Sequence, residues 1–252
     1  MLPNVEWKAW GKKDPLWGVA SWAGREGDGP NPWTDKEFYN LGADWLDFER
    51  AWRQTVGYSP GIVLEIGCGA GRITHMLADT FAKVVAVDVS DDMIEYARSR
   101  IGNGNIDWRV SDGDVLPAAD NSLDALFSCH VFQHFPSNFA QLQMFKEMKR
   151  ALKPGGTFLL HLPIHAFPDV NKRFSRFARY GYAAFLSLTN VKAFIRRQMM
   201  KFGGKSYVHG VSYEMEKLFA DLRSLGFDDI VVSVITVRTN GSLHTCVSAR
   251  KR

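Results

Sequence analysis

The stretch Glu65-Ile66-Gly67-Cys68-Gly69-Ala70-Gly71 sets three glycines at alternate positions between an aliphatic run and a helical one. Glycines in such a turn let the backbone bend tightly and let a ligand approach the main chain where a Cβ would collide. The helix that follows offers free N–H groups to polar ligand atoms. Asp88 ends the next aliphatic run, 17 residues beyond Gly71. A carboxylate at that edge can accept from both hydroxyls of a ribose, and the competing role of helix N-cap is better filled by Ser90. Asp112 closes a third run, where a carboxylate followed by the Gly113 amide suits the amino group and ring nitrogen of an adenine. Asp114 is its close rival, and a plain turn aspartate is the alternative.

Histidines form the second set. His130 and His134 stand just past a fourth run, in CHVFQHF, and His161 and His165 at the end of a fifth. Imidazole changes charge near neutrality and suits proton transfer. Four histidines at one sheet edge suggest a metal, but no helix-spaced pair or acidic partner joins them, so none is expected. Cys129 reads as a small buried thiol.

These residues need elements to hold them. From Gly61 onward, short aliphatic runs alternate with helical patterns. Strands are expected at 62–66, 83–89, 106–112, 123–130 and 157–163, with helices at 73–81, 91–101 and 137–153, the last stopped by Pro154-Gly155-Gly156. Such alternation predicts right-handed βαβ units and a parallel sheet covered on both faces. A helix at 213–227 then precedes two strands around Asn240-Gly241, a strong hairpin signal. Before it, apolar residues from Phe174 to Phe202 keep helical spacing and predict a helical insertion. Upstream, Thr34 and Glu37 form a capping box for a helix at 34–54 with Phe38, Leu41, Trp45, Phe48 and Trp52 on one face. The first 33 residues show no periodicity and are expected to be irregular. Four regions result: an aromatic-rich lid or helical segment (1–57), a ligand-binding core (58–164), a basic helical insertion capping the substrate (165–210), and a closing helix and hairpin (211–252).

Composition narrows the function. The chain has 252 residues, 46% hydrophobic and 23% charged, enough for one sizeable core, and this composition excludes collagen-like and disordered classes. It has no apolar run long enough to span a bilayer, its polar, Trp-rich first residues lack the apolar core of a secretory signal, and its 3 cysteines give no disulfide framework, so a cytoplasmic protein is expected. The net charge of +4 is unevenly placed: nine Lys or Arg and no acid lie between Val170 and Tyr213. An anionic small molecule or an anionic membrane surface would suit that window, and nucleic acid suits it least, for want of a binding module.

Taken together, VLEIGCGAGRITHML, VVAVDVSDDMIEYAR, VSDGDVLPAADNSLDALFSCHVFQHF and MKRALKPGGTFLL resemble the class I (Rossmann-like) S-adenosylmethionine-dependent methyltransferases of small-molecule type. The likeness is strong over residues 58–163 and looser over the closing helix and hairpin. A nicotinamide fingerprint fits poorly, because Arg72 stands where its last glycine would fall. The resemblance implies a doubly wound α/β fold, a mostly parallel seven-stranded sheet with one antiparallel strand in the C-terminal hairpin. It implies S-adenosyl-L-methionine as cofactor and S-adenosyl-L-homocysteine as product. Gly67, Gly69 and Gly71 would then hold the methionine part, with Glu65 ordering the loop around its amino group. Asp88 would take the ribose, Val89 would lie beside the adenine, Asp112 and Gly113 would address its edge, and the Ser128 carbonyl would face the amine.

Methyl transfer from a sulfonium is an in-line displacement that rests on alignment, with a base needed only if the acceptor must lose a proton. No Asn/Asp-Pro-Pro-Tyr stretch follows the fourth strand, and Cys129 lacks the Pro-Cys context of cytosine-C5 enzymes. His134 is the first candidate base and His130 the second, which favours O-methylation over N or C; pocket shaping is the competing role. Tyr39, Trp45, His165 and Arg173 are candidate substrate residues. Seven of the eight Trp fall in the first 52 residues, either packed across the sheet edge or forming a lid over an apolar acceptor pocket. Rival readings are a methyltransferase of membrane lipid or quinone acceptors docking through 170–213, and a binding protein without turnover.

Overall fold

The computed structural model describes residues 2–165 and 211–252. Five strands run parallel in the first two thirds of the chain: β1 (Ile62–Ile66), β2 (Lys83–Asp88), β3 (Ile106–Val110), β4 (Leu123–Ser128) and β5 (Leu152–His161). β8 (Phe227–Thr236) and β9 (Leu243–Lys251) form the hairpin, and the seven-stranded order is β3-β2-β1-β4-β5-β9-β8. β9 is antiparallel to both neighbours and is the one reversed strand. Two short strands, β6 (Ile164–His165) and β7 (Tyr213–Glu214), pair separately. The order reverses between β1 and β4, and an open α/β sheet binds its ligands beside such a point.

Side-chain alternation sends β1 residues to two cores. Leu64 and Ile66 join Met144, Phe145 and Met148 of α7 (Asn138–Ala151) and Leu218 and Leu222 of α8 (Met215–Ser224). Val63 joins Trp45, Phe48 and Trp52 of α4 (Trp45–Gln54) and Leu77 of α5 (Thr74–Thr80). Both faces of the parallel strands are therefore apolar, which accounts for runs such as IVLEI that lack polar alternation.

The capping box forms as expected, with Thr34 and Glu37 starting α3 (Asp35–Asn40). The expected single helix is split by a 3₁₀ turn at Leu41–Asp44 before α4. The first 33 residues depart further from expectation. They form α1 (Leu2–Lys13) and α2 (Pro15–Val19), with Asp14 accepting from the Trp17 amide at 3.1 Å and Pro15 in the first turn. An Asp-Pro step is a helix-start signal in its own right. α1 and α2 pack on α6 (Asp91–Arg100), capped by Ser90, around a third core that includes Leu16, Phe38 and Met93. α7 ends at Ala151, before Pro154-Gly155-Gly156, and these three residues lie within β5. The helical insertion at 165–210, the basic residues from Lys172 to Lys205 and the candidate Arg173 fall outside the described residues, apart from His165 itself. Among the described residues, no helix is long and apolar enough to cross a membrane.

Candidate active site

The loop after β1 is held from three sides. The amides of Gly67 and Cys68 both donate to Val87 O, at 2.7 and 3.0 Å. Asp88 Oδ2 accepts from the Gly69 amide at 2.8 Å, and Oδ1 accepts from the Ser90 amide at 2.9 Å. The glycines have φ of +72°, +53° and +82° at positions 67, 69 and 71. A Cβ at Gly67 would stand 2.2 Å from Val131 Cγ2, so both conformation and space demand glycine there. At Gly71 the Cβ would meet Ile101 Cδ1 at 2.4 Å, so this glycine lets α6 close on the loop and does not face the cavity.

A cavity of about 1390 Å³ opens beside this loop. Gly67, Gly69, Asp88, Val89, Asp112, Gly113 and Asp114 line it. So do His130, Val131, Gln133, His134 and Phe139, with Val131 packed against Gly67. The N-terminal helices complete the wall with Asn4, Trp7, Val19 and Trp22. Asn4 Nδ2 donates to Asp112 O at 2.7 Å, and the Trp7 ring lies 4.9 Å from that of His134. Trp7 and Trp22 line the cavity, whereas Trp45 and Trp52 are fully buried in the core. Val19, Asn4, Phe139 and Gln143 were not anticipated; the Asp14-Pro15 start of α2 was the available signal for Val19.

Other expected site residues lie elsewhere. Glu65 is buried, accepts from Thr74 Oγ1 at 2.6 Å, and is pushed by burial up to about 7. It ties the loop to α5 and does not line the cavity. Ser128 is buried with its Oγ donating to Ile66 O at 2.8 Å; the lining begins at Cys129, one residue later. Tyr39 donates to Ala70 O at 3.0 Å and braces the loop from behind, and Trp45 donates to Thr80 Oγ1 at 3.0 Å. Neither lines the cavity. His165 lies in β6 with its Nδ1 2.8 Å from Ser212 Oγ, outside the lining. His130 does line the cavity, but burial and the neighbouring His161 and Arg72 push it down to about 2, so it is neutral and a poor base.

Residues 64–160 match the family model described as a methyltransferase domain. Over these residues the chain is similar to a methyltransferase domain. The malonyl-[acyl-carrier protein] O-methyltransferase of Hahella chejuensis is 37% identical over 102 residues, 40% of this chain and 36% of the relative. The demethylmenaquinone methyltransferase of Tropheryma whipplei is 37% identical over 100 residues, 39% of this chain and 40% of the relative. The chain thus spans less than half the length of these curated relatives. A methyltransferase structure from Leishmania major covers 99% of this chain and 83% of its own at 14% identity, with a TM-score of 0.61. One from Aquifex aeolicus covers 87% and 100% at 19% identity, with a TM-score of 0.52. These likenesses establish the fold.

Both solved neighbours are S-adenosylmethionine-dependent methyltransferases, and this chain's residues fit that cofactor. A glycine loop without room for side chains, a carboxylate at the β2 end and the Asp112-Gly113 turn all face one cavity. Val89 lies in the wall between them.

Proposed function

We propose that the chain is an S-adenosylmethionine-dependent methyltransferase acting on a small acceptor with an apolar body, with transfer to oxygen favoured. The observation that carries this reading is the continuity of one cavity from Asp88 and the glycine loop to His134 and Phe139. Single-ligand pockets run to about 1000 Å³, so this volume leaves room for an acceptor beside the cofactor. Asp88, Val89 and the Asp112-Gly113 turn hold the adenosyl part, and the Gly67 and Gly69 backbone admits the methionine part. When bound, the cofactor supplies an electrophilic methyl group on sulfur.

Trp7, Phe135 and Phe139 offer apolar surface to the acceptor and exclude water. The Gln133 amide stands 3.0 Å from His134 Nε2. An acceptor hydroxyl that displaced this amide would place its proton on His134, leaving an oxygen anion to attack in line. The nine cations between Lys172 and Lys205 favour an acceptor with an acidic group.

A second reading, a membrane-associated quinone or lipid acceptor, is favoured by the likeness to a demethylmenaquinone methyltransferase. Transfer of labelled methyl from S-adenosylmethionine is the test, with phenols, carboxylic acids and quinols offered with and without anionic vesicles. His134→Ala should lower phenol turnover by about 10²-fold. Binding of the cofactor without turnover on any acceptor would overturn the reading in favour of a sensor or scaffold.

A further inference from the structure

Behind the His134 end of the cavity, three imidazoles from three strands converge. His130 follows β4, His161 ends β5 and His244 lies in β9. Their ring centroids are 4.5 Å apart for His130 and His161, 4.7 Å for His130 and His244, and 4.8 Å for His161 and His244, each pair edge-on. Cys129 adds a sulfur: its Sγ and one ring nitrogen from each of His130 and His161 all lie within 4.8 Å of one another. The expectation of no metal weighed His134 and His165 with this group. The fold leaves those two outside it and brings in His244, from more than 80 residues further along the chain.

Ring packing does not account for the whole cluster. His244 is 6% exposed, its Nε2 lies 2.9 Å from Ser242 Oγ, and its Nδ1 is buried with no hydrogen-bond partner. With Nε2–H donating to Ser242, Nδ1 carries an unused lone pair. Metal-bound histidines take this form, one nitrogen on the ion and the other N–H on an oxygen. His130 has φ of +62°, a conformation that a residue with a side chain adopts at a cost. That backbone holds its ring in the cluster.

We propose that Cys129, His130, His161 and His244 form a binding site for a divalent transition-metal ion of the zinc class. Nitrogen and sulfur donors without a carboxylate suit zinc and disfavour magnesium or calcium. Tetrahedral zinc holds such donors at about 2.0–2.3 Å, hence about 3.3–3.8 Å apart, so the Cys129, His130 and His161 donors, all within 4.8 Å of one another, close by about 1 Å, and His244 swings in as the fourth ligand. Metal ligation takes neutral imidazoles and a thiolate. A cysteine thiol is ordinarily protonated near neutrality, so forming the sulfur–metal bond releases about one proton to solvent per ion. Arg72 Nη2, 3.8 Å from Sγ, favours the thiolate, and Asp44, 3.4 Å from Arg72, offsets the guanidinium charge. His161 Nδ1 accepts the His130 amide at 3.2 Å, a bond that yields if that nitrogen is the ligand.

The test uses the full chain, stripped with chelator and titrated with Zn²⁺ against a chromophoric competitor, then with Co²⁺. The expected results are about one equivalent of Zn²⁺ at micromolar affinity or tighter, about one proton released per ion, and tetrahedral Co²⁺ bands with a sulfur-to-metal transition in the near ultraviolet. His161→Ala and His244→Gln should each weaken Zn²⁺ binding by at least about tenfold, and Cys129→Ser should abolish the near-ultraviolet band. His75→Ala, outside the cluster, should bind as the parent does. Failure of the folded parent chain to hold Zn²⁺ against the competitor, or binding indifferent to both His161→Ala and His244→Gln, would overturn the site. None of these readouts involves methyl transfer, so the site stands or falls separately from the proposed activity.

Discussion

Asp88 and Gly69, 19 positions apart, are joined by a hydrogen bond from the Gly69 amide to Oδ2 at 2.8 Å. The carboxylate proposed to receive the ribose therefore also fixes the loop that admits the methionine. Asp88→Ala removes both contributions and should weaken S-adenosylhomocysteine binding by about 1–2 kcal/mol, roughly five- to thirtyfold in Kd. Calorimetric titration checks this, and unchanged affinity would remove Asp88 from the site.

Glu65 gives a pH signature. Burial pushes its carboxyl up to about 7, against about 4.3 in an unfolded chain. Between those values the folded chain holds a proton that the unfolded chain has lost, so this group's contribution makes stability fall as pH rises, levelling off above about 7. Glu65→Gln keeps an acceptor for Thr74 Oγ1 and removes the charge. It should gain about 1–3 kcal/mol over the parent at pH 8 and nothing near pH 4, as read from urea unfolding at the two values.

α1 is docked on α6 through a close approach at Gly11. A Cβ there would stand 2.3 Å from the oxygen of Ser90, the residue that caps α6. Gly11→Ala should push α1 away and carry Asn4 and Trp7 off the cavity wall. Cofactor affinity should fall several-fold and cleavage by trypsin at Lys8, Lys12 or Lys13 should accelerate, while the midpoint of global unfolding moves by less than about 1 kcal/mol.

Trp45 separates packing from recognition. Its ring is fully buried among Trp52, Phe81 and Phe127, with its N–H on Thr80. Trp45→Ala should cost about 3–5 kcal/mol of stability. The folded fraction should bind S-adenosylhomocysteine as the parent does, which thermal unfolding with and without the ligand would resolve.

The parallel strands were legible because apolar runs buried on both faces alternate with capped helices, and the Asn240-Gly241 turn marked the reversed strand. The cofactor end was legible for the same reason: Gly67, Gly69, Asp88 and Asp112 sit at strand ends, where position along the chain fixes position in space. The other end was not. Trp7 and Val19 reach the cavity through α1 and α2, whose apolar residues are spread around the helix and give no clear stripe. His161 and His244 meet only because β9 pairs with β5, a register that local patterns leave open. Trp45 showed helical amphipathicity, which marks a buried face and carries no information on whether that face meets core or ligand.

β9 lies between β5 and β8, yet β8 precedes it in the chain. On a growing polypeptide, β8 emerges with nothing to pair with and must wait for a strand made after it. The outermost strand is held in the sheet through β9, and the pairing of β9 with β5 that seats it also carries His244 to His130 and His161.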